Sequence, residues 1–78
     1  MRLLQLNYFL NVAVTQNISR SARTLNVSQP SLSRSIHELE AELGVPLFTR
    51  NGHSLALNDA GCRFAAQVRA GLNEVNHA

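Results

Sequence analysis

The chain has 78 residues, of which 45% are hydrophobic, and these values predict one small folded domain with a modest core. It contains no apolar run near the ~20 residues that span a membrane and no signal-peptide pattern, so we expect a cytoplasmic protein that does not enter a membrane. The net charge is only +2, but every basic side chain is an arginine and residues 1–37 contain no acid, which favours a polyanionic partner.

Two helices are predicted in the first part of the chain. In residues 3–15, apolar side chains recur every three or four positions, which is the spacing of an amphipathic helix. A shorter helix is predicted from about Ser19 to Leu25, capped by Asn17 or by Ser19 itself. Asn26 follows, and asparagine tolerates the left-handed backbone conformation that a tight turn into another helix requires.

A third helix is predicted from Ser28, whose hydroxyl can cap the first turn. Pro30 is tolerated there because the amides of a first turn have no helical partner. Gly44 is predicted to end the helix, and Pro46 prevents its return. The helix buries a single stripe of apolar side chains, which consists of Leu32, Ile36, Leu39 and Leu43.

A β-hairpin is predicted next, with Leu47–Arg50 and Leu55–Leu57 as its strands. The connection reads Asn51-Gly52-His53-Ser54, and Asn-Gly is the strongest short-range turn signal, although four connecting residues allow several geometries.

A last helix is predicted from Asn58 or Asp59. No stop signal precedes Ala78, so we expect this helix to be cut off and to continue in the natural chain. A domain of this size offers little to cover its apolar stripe, and we therefore expect it to pair with the same helix of a second copy. The stripe consists of Phe64, Val68, Leu72 and Val75, broadened by Cys62, Ala65, Ala66 and Ala70.

The outer side of the third helix carries an unusual set of residues for a surface helix. With the leucine stripe buried, helical geometry directs one group outward or to the edge of this face: Gln29, Pro30, Ser31, Ser33, Arg34 and His37. Glutamine can bridge adenine N6 and N7, arginine can bridge guanine O6 and N7, and the amino end of the helix attracts a phosphate.

These features together predict a mainly α, winged helix-turn-helix domain with a short two-stranded wing and a long carboxy-terminal helix. The recognition helix would enter the major groove of double-stranded DNA amino end first. The hairpin, which carries Arg50 and His53, would be the wing over the flanking backbone or minor groove.

The cysteine and histidine content gives no indication of redox or metal chemistry. Cys62 is alone, so no disulfide can form within the chain, and it is predicted to pack as a small hydrophobic side chain. His37, His53 and His77 are scattered without metal-ligand spacing, so no metal site is expected. Paired carboxylates, a nucleophile–histidine arrangement and a glycine-rich phosphate loop are all missing, so we expect neither an enzyme nor a cofactor in this fragment.

Several motifs of the chain belong together in one family. The most specific are VSQPSLSRSI at Val27–Ile36 and LGVPLFTR at Leu43–Arg50, with Leu39-Glu40 between them and Ala60-Gly61 after them. From about Leu3 to Arg63 the chain resembles the LysR-type transcriptional regulators. It departs from the family pattern at four places, namely Ser21-Ala22, where two alanines are usual, Asn58, where threonine is usual, and His53 and Ala56, where the wing commonly carries basic residues.

The resemblance implies a DNA-binding domain in residues 1–58 and a linker helix for dimerisation in residues 59–78. In the family the linker helices form a homodimer, a tetramer is a further option for the full-length protein, and an effector domain, absent here, binds a small-molecule co-inducer. A two-fold dimer predicts an operator that is an interrupted inverted repeat. The family's DNA contacts correspond to Ser28, Gln29, Pro30, Ser33, Arg34, Arg50 and the wing tip near His53.

The sequence allows two other interpretations. A helix-turn-helix used for protein contacts would fit the same core, but it would not need Gln29, Ser33 and Arg34 on one exposed face. Glu40 is interpreted as part of an exposed acidic face without chemistry, and an ion pair with an arginine of the domain is the alternative.

Overall fold

The computed structural model describes residues 1–52 and 54–77, with side chains as far as Leu72 in the last helix. Within that part of the chain, four helices and one antiparallel hairpin follow each other in the predicted order. They are α1 (Leu3–Thr15), α2 (Ile18–Leu25), α3 (Gln29–Leu43), β1 (Phe48–Asn51), β2 (Ser54–Leu57) and α4 (Asp59–His77). The mainly α, winged helix-turn-helix fold is confirmed, and α1 has the predicted bounds.

Each of the later helices begins at a side-chain cap. Asn17 Oδ1 accepts the N–H of Arg20 at 2.9 Å, which decides between the two caps considered for α2, and this helix starts one residue earlier than predicted. Ser28 Oγ accepts the N–H of Ser31 at 3.2 Å, as predicted for α3. Asn58 Oδ1 accepts the N–H of Gly61 at 2.7 Å at the start of α4. These bonds satisfy amides that have no partner inside a helix.

The ends of α2 and α3 adopt the left-handed conformation that the sequence predicts. Asn26 has a φ of 58° and Gly44 a φ of 77°. At Asn26 the backbone turns sharply enough for Val27 N–H to reach the carbonyl of Ala22 at 3.0 Å. The tight turn between the two helices of the helix-turn-helix is thereby closed.

The strands of the hairpin extend one residue further toward the turn than predicted, and the first strand begins one residue later. Phe48 pairs with Leu57 and Asn51 pairs with Ser54, which leaves a two-residue connection instead of four. Leu47 does not belong to β1, because only its carbonyl bonds across the hairpin. Its N–H donates to Glu40 Oε2 at 2.7 Å, and its carbonyl accepts the N–H of Asn58 at 3.0 Å.

The end of β2 next to the turn is bonded to the loop between α1 and α2. Leu55 N–H donates to the carbonyl of Gln16 at 3.0 Å, and Asn17 forms a β-bridge with Ser54. These backbone contacts hold β2 against the amino-terminal half of the domain. Sequence patterns gave no indication of them, because they join segments almost forty positions apart.

One core lies between the helices and the inner side of the hairpin. Phe9 of α1 is fully buried at its centre, with its ring edge-on to Phe48 at 5.6 Å and tilted on Phe64 at 5.2 Å between centroids. The predicted stripe of α3 contributes Leu32, Ile36 and Leu39, which are all buried.

The prediction that Cys62 packs in the core is wrong. Cys62 is exposed, because the face of α4 that meets the domain is set by Gly61, Ala65 and Val68. Ala66 is exposed as well. Among the described residues, no helix combines the length and apolar character needed to cross a membrane.

Candidate nucleic-acid interface

The outward face of α3 is formed as the helical spacing predicts. Gln29, Pro30, Ser31 and Arg34 are exposed, and Ser33 is half-buried at their side. On the opposite side of the same helix, the leucine stripe anchors α3 in the core. The face therefore consists of short hydroxyl side chains with two long hydrogen-bonding ones, on a helix that the core holds firmly.

The first turn of α3 is organised by serine hydroxyls. Ser28 Oγ receives the N–H of Ser31 and donates to Ser31 Oγ at 2.8 Å. Next to it, an open groove of about 610 Å³ lies between α2 and the start of α3, with Arg23 and Gln29 among its lining residues. An arginine and the positive end of a 15-residue helix beside one groove can together meet a phosphate.

The wing meets the recognition helix through the side chain of Arg50. Arg50, on β1, places Nη2 at 3.2 Å from Nε2 of His37, on α3. The side chains of Arg50 and His37 are 43% and 60% exposed, so both remain accessible from solvent. Arg50 and His37 thus extend the outward face of α3 onto the hairpin, whereas the predicted contact at His53 lies outside the described residues.

Glu40 does not belong to an exposed acidic face, so that interpretation is wrong. Its side chain is 12% exposed, and Oε1 lies 3.5 Å from His37 Nδ1 and 4.0 Å from Arg50 Nη2. The alternative, an ion pair with an arginine of the domain, is what the structure contains. The i, i+3 spacing of His37 and Glu40 was the only signal in the sequence for part of this cluster.

The proposed pairing stripe of α4 is partly used inside one chain. Phe64 packs on Phe9, and Val68 is only 8% exposed. Leu72 is half-buried, and the side chain of Val75 lies outside the described residues. An open, largely apolar groove of about 310 Å³ remains beside the stripe, lined by Met1, Leu6, Phe64, Gln67, Val68, Gly71 and Leu72.

Metal chemistry has no candidate residues in the described ranges, where no three His, Cys, Asp or Glu side chains come together. The groups that converge on the outward face are amide, hydroxyl, imidazole and guanidinium groups. These are the hydrogen-bonding groups with which proteins contact bases and phosphates.

Comparison with known proteins agrees with this geometry. The family model described as a bacterial regulatory helix-turn-helix protein of the lysR family matches residues 3–62. The chain belongs to the LysR family. A relative, the probable cat1 operon transcriptional activator of Acinetobacter lwoffii, is 48% identical to it over 75 residues, which make up 96% of this chain and 25% of that protein.

Solved structures of LysR-type DNA-binding domains have the same fold. The CbnR DNA-binding domain in complex with DNA superposes with a TM-score of 0.92 at 38% identity, covering 99% of this chain and 88% of that one. The BenM DNA-binding domain in complex with benA site 1 DNA gives a TM-score of 0.91 at 34% identity, covering 99% and 90%.

Membership of the LysR family confirms the predicted function, which is DNA binding by a transcriptional regulator. The chain is a LysR-type winged helix-turn-helix DNA-binding domain, and the family and its relatives are transcriptional regulators rather than enzymes. It spans about a quarter of the length of the curated relatives that it matches.

Proposed function

We propose that this domain directs a bacterial transcriptional regulator to one operator sequence, with α3 in the major groove and the hairpin on the flanking backbone or minor groove. The observation that carries the proposal is the exposure of Gln29 and Arg34 on one face of α3, continued onto the wing by the contact between His37 and Arg50. The complexes of CbnR and BenM domains with DNA support the same use of this fold.

The proposed contacts divide into base reading and positioning. Arg34 is assigned to a guanine edge and Gln29 to an adenine edge, because each side chain presents a planar pair of hydrogen-bonding atoms. The first-turn residues Ser28, Pro30, Ser31 and Ser33 would let the helix approach the groove closely and bond to phosphates. The backbone or minor groove beside it would be contacted by His37, Arg50 and His53. Contacts of these residues with phosphates would position the domain but would not distinguish one base sequence from another.

The proposed assembly is a homodimer formed by the linker helices. Residues 1–58 would bind DNA and residues 59–78 would pair, using the groove beside Phe64, Val68 and Leu72. One recognition helix reads only a few base pairs, so two half-sites in an interrupted inverted repeat are needed for specificity. We place the complete regulator in the cytoplasm, with a co-inducer site in a separate effector domain and a tetramer as a further assembly.

Selection of bound duplexes from a random pool tests the base-reading assignment. The wild-type chain is expected to enrich an interrupted inverted repeat. Arg34→Ala should lose roughly 1–3 kcal/mol of specific binding and relax the preference at one base pair in each half-site. Arg34→Lys is the matched control, since it keeps the charge without the planar fork.

The outcomes separate the contact types. If Arg34→Ala weakens binding without changing base preference and Arg34→Lys restores the affinity, the residue acts as a charge near a phosphate. If Arg34→Ala keeps affinity and preference unchanged, Arg34 is not a base contact. A salt titration distinguishes DNA binding from a protein-contact role, because phosphate contacts make affinity fall steeply with salt.

A further inference from the structure

Glu40 lies where the recognition helix meets the chain that leads into the wing. Its Oε2 accepts the N–H of Leu47 at 2.7 Å, and Leu47 directly precedes β1. A short bond between a carboxylate and a backbone amide is among the stronger hydrogen bonds in proteins. The side chain of Glu40 therefore links α3 to the residue that precedes the first strand of the hairpin.

The second carboxylate oxygen of Glu40 faces His37 of α3 and Arg50 of the wing. Oε1 is 3.5 Å from His37 Nδ1 and 4.0 Å from Arg50 Nη2, while Arg50 Nη2 is 3.2 Å from His37 Nε2. A guanidinium can only donate, so Nε2 must accept, and the proton of a neutral ring then lies on Nδ1, toward Glu40. The three contacts are consistent with one arrangement of protons.

We infer that Glu40 is a positioning residue for DNA binding, which holds Arg50 and His37 together on the outward face and fixes the wing against α3. The inference rests on the proposed backbone contact of Arg50. The carboxylate is 12% exposed beneath two more exposed cationic or polar groups, so it orients them without occupying the contact surface itself. A side chain that is ordered before binding loses less entropy on meeting its partner.

The direction in which DNA affinity changes when Glu40 is neutralised distinguishes a positioning role from a direct effect of its charge. An acid near DNA repels phosphates, so its neutralisation should strengthen binding if charge alone matters. Glu38 provides the matched control, since it is exposed on the same helix and takes part in none of the ion pairs found among the described residues. Glu38→Gln is expected to bind DNA as tightly as wild type or slightly more tightly, whereas Glu40→Gln should bind at least about threefold more weakly.

A double-mutant cycle with Arg50→Ala provides a readout that a purely structural role would not change. All variants are first shown to be folded by circular dichroism at the assay temperature. The factor by which Arg50→Ala weakens binding should shrink at least about threefold in the Glu40→Gln background, because Arg50 is already misplaced there. The contribution of Arg50 to the salt slope should shrink with it.

Each outcome decides the inference. Binding by Glu40→Gln that matches Glu38→Gln overturns it, and so does an undiminished effect of Arg50→Ala. If Arg50→Ala does not change DNA affinity in the wild-type background, the proposed contact between Arg50 and DNA is wrong. That outcome refutes part of the proposed function and is distinguishable from a failure of the role of Glu40 alone. If Glu40→Gln does not fold, Glu40→Asp is used in its place, because it keeps the charge but withdraws the carboxylate by one methylene. DNA binding by Glu40→Asp as tight as that of wild type would also overturn the proposed role of Glu40.

Discussion

Gly61 is the point at which α4 touches the segment before the wing, and it offers a test of that packing. It is buried in the first turn of α4, where its N–H donates to Asn58 Oδ1. A β-carbon at this position would overlap the carbonyl oxygen of Leu47 and lie 2.8 Å from Cδ2 of Leu57. The carbonyl cannot move away freely, because it accepts the N–H of Asn58 at 3.0 Å.

Gly61→Ala is therefore expected to destabilise the domain. Overpacking of a fixed neighbour costs about 1–3 kcal/mol, and weakening the bond between Leu47 and Asn58 costs about 1 kcal/mol more. The better helix propensity of alanine offsets at most ~1 kcal/mol of this loss. A net loss of about 2 kcal/mol corresponds to a fall in Tm of roughly 10 °C for a domain of this size.

Gly71→Ala is the matched control in the same helix. A β-carbon there meets no atom of its own chain within 4 Å, so alanine should raise the stability of the unpaired chain, measured at the lowest protein concentration, by up to about 1 kcal/mol. Thermal unfolding is followed by circular dichroism at several protein concentrations, since dimerisation makes Tm depend on concentration. A Tm for Gly61→Ala within ~2 °C of wild type would refute the close approach of α4 to Leu47.

Two further predictions concern the wing and the linker helix. Arg50→Ala should weaken binding about equally for all duplexes and lower the salt slope by about 1, as titrations at several salt concentrations would measure; an unchanged slope with one lost base preference would contradict the phosphate contact. Leu72→Asp should give a monomer in sedimentation equilibrium and bind a full inverted repeat little better than one half-site. Ala66 does not line the proposed pairing groove, because helical spacing puts it on the side of α4 away from Phe64 and Val68, so Ala66→Asp should leave the dimer intact. A wild-type chain that stays monomeric on the full repeat would exclude pairing through this helix. Val68 is unsuitable for this test, because an aspartate at a position 8% exposed would disrupt the core.

The helices were predictable because their signals are local. In α3 the cap at Ser28, the apolar stripe and the stop at Gly44 all lie within the helix or next to it, and all agree. The same holds for the left-handed turn at Asn26. The outward face of α3 follows directly, since burial of one stripe decides where every other side chain of the helix lies.

The features that escaped prediction depend on segments that are distant in the sequence. The first strand begins at Phe48 rather than at Leu47, because the N–H of Leu47 donates to Glu40 on α3 and is not available to the sheet. Cys62 is exposed because the contact of Gly61 with Leu47 selects which side of α4 faces the core. In α4 the periodicity of the local sequence allowed more than one side to face the core, and tertiary contacts chose between them.

Phe9 connects the three parts on which operator recognition depends. Its ring contacts Phe48 at the start of the wing and Phe64 in α4, and α1 also packs against α3. Close-packed interiors transmit a shift at one side chain to its neighbours. The core around Phe9 therefore fixes the distances between recognition helix, wing and linker helix, and in a dimer those distances set the spacing of half-sites. Base preference, by contrast, is assigned to exposed residues of α3, so spacing and base preference are controlled by separate sets of residues and can change independently of each other.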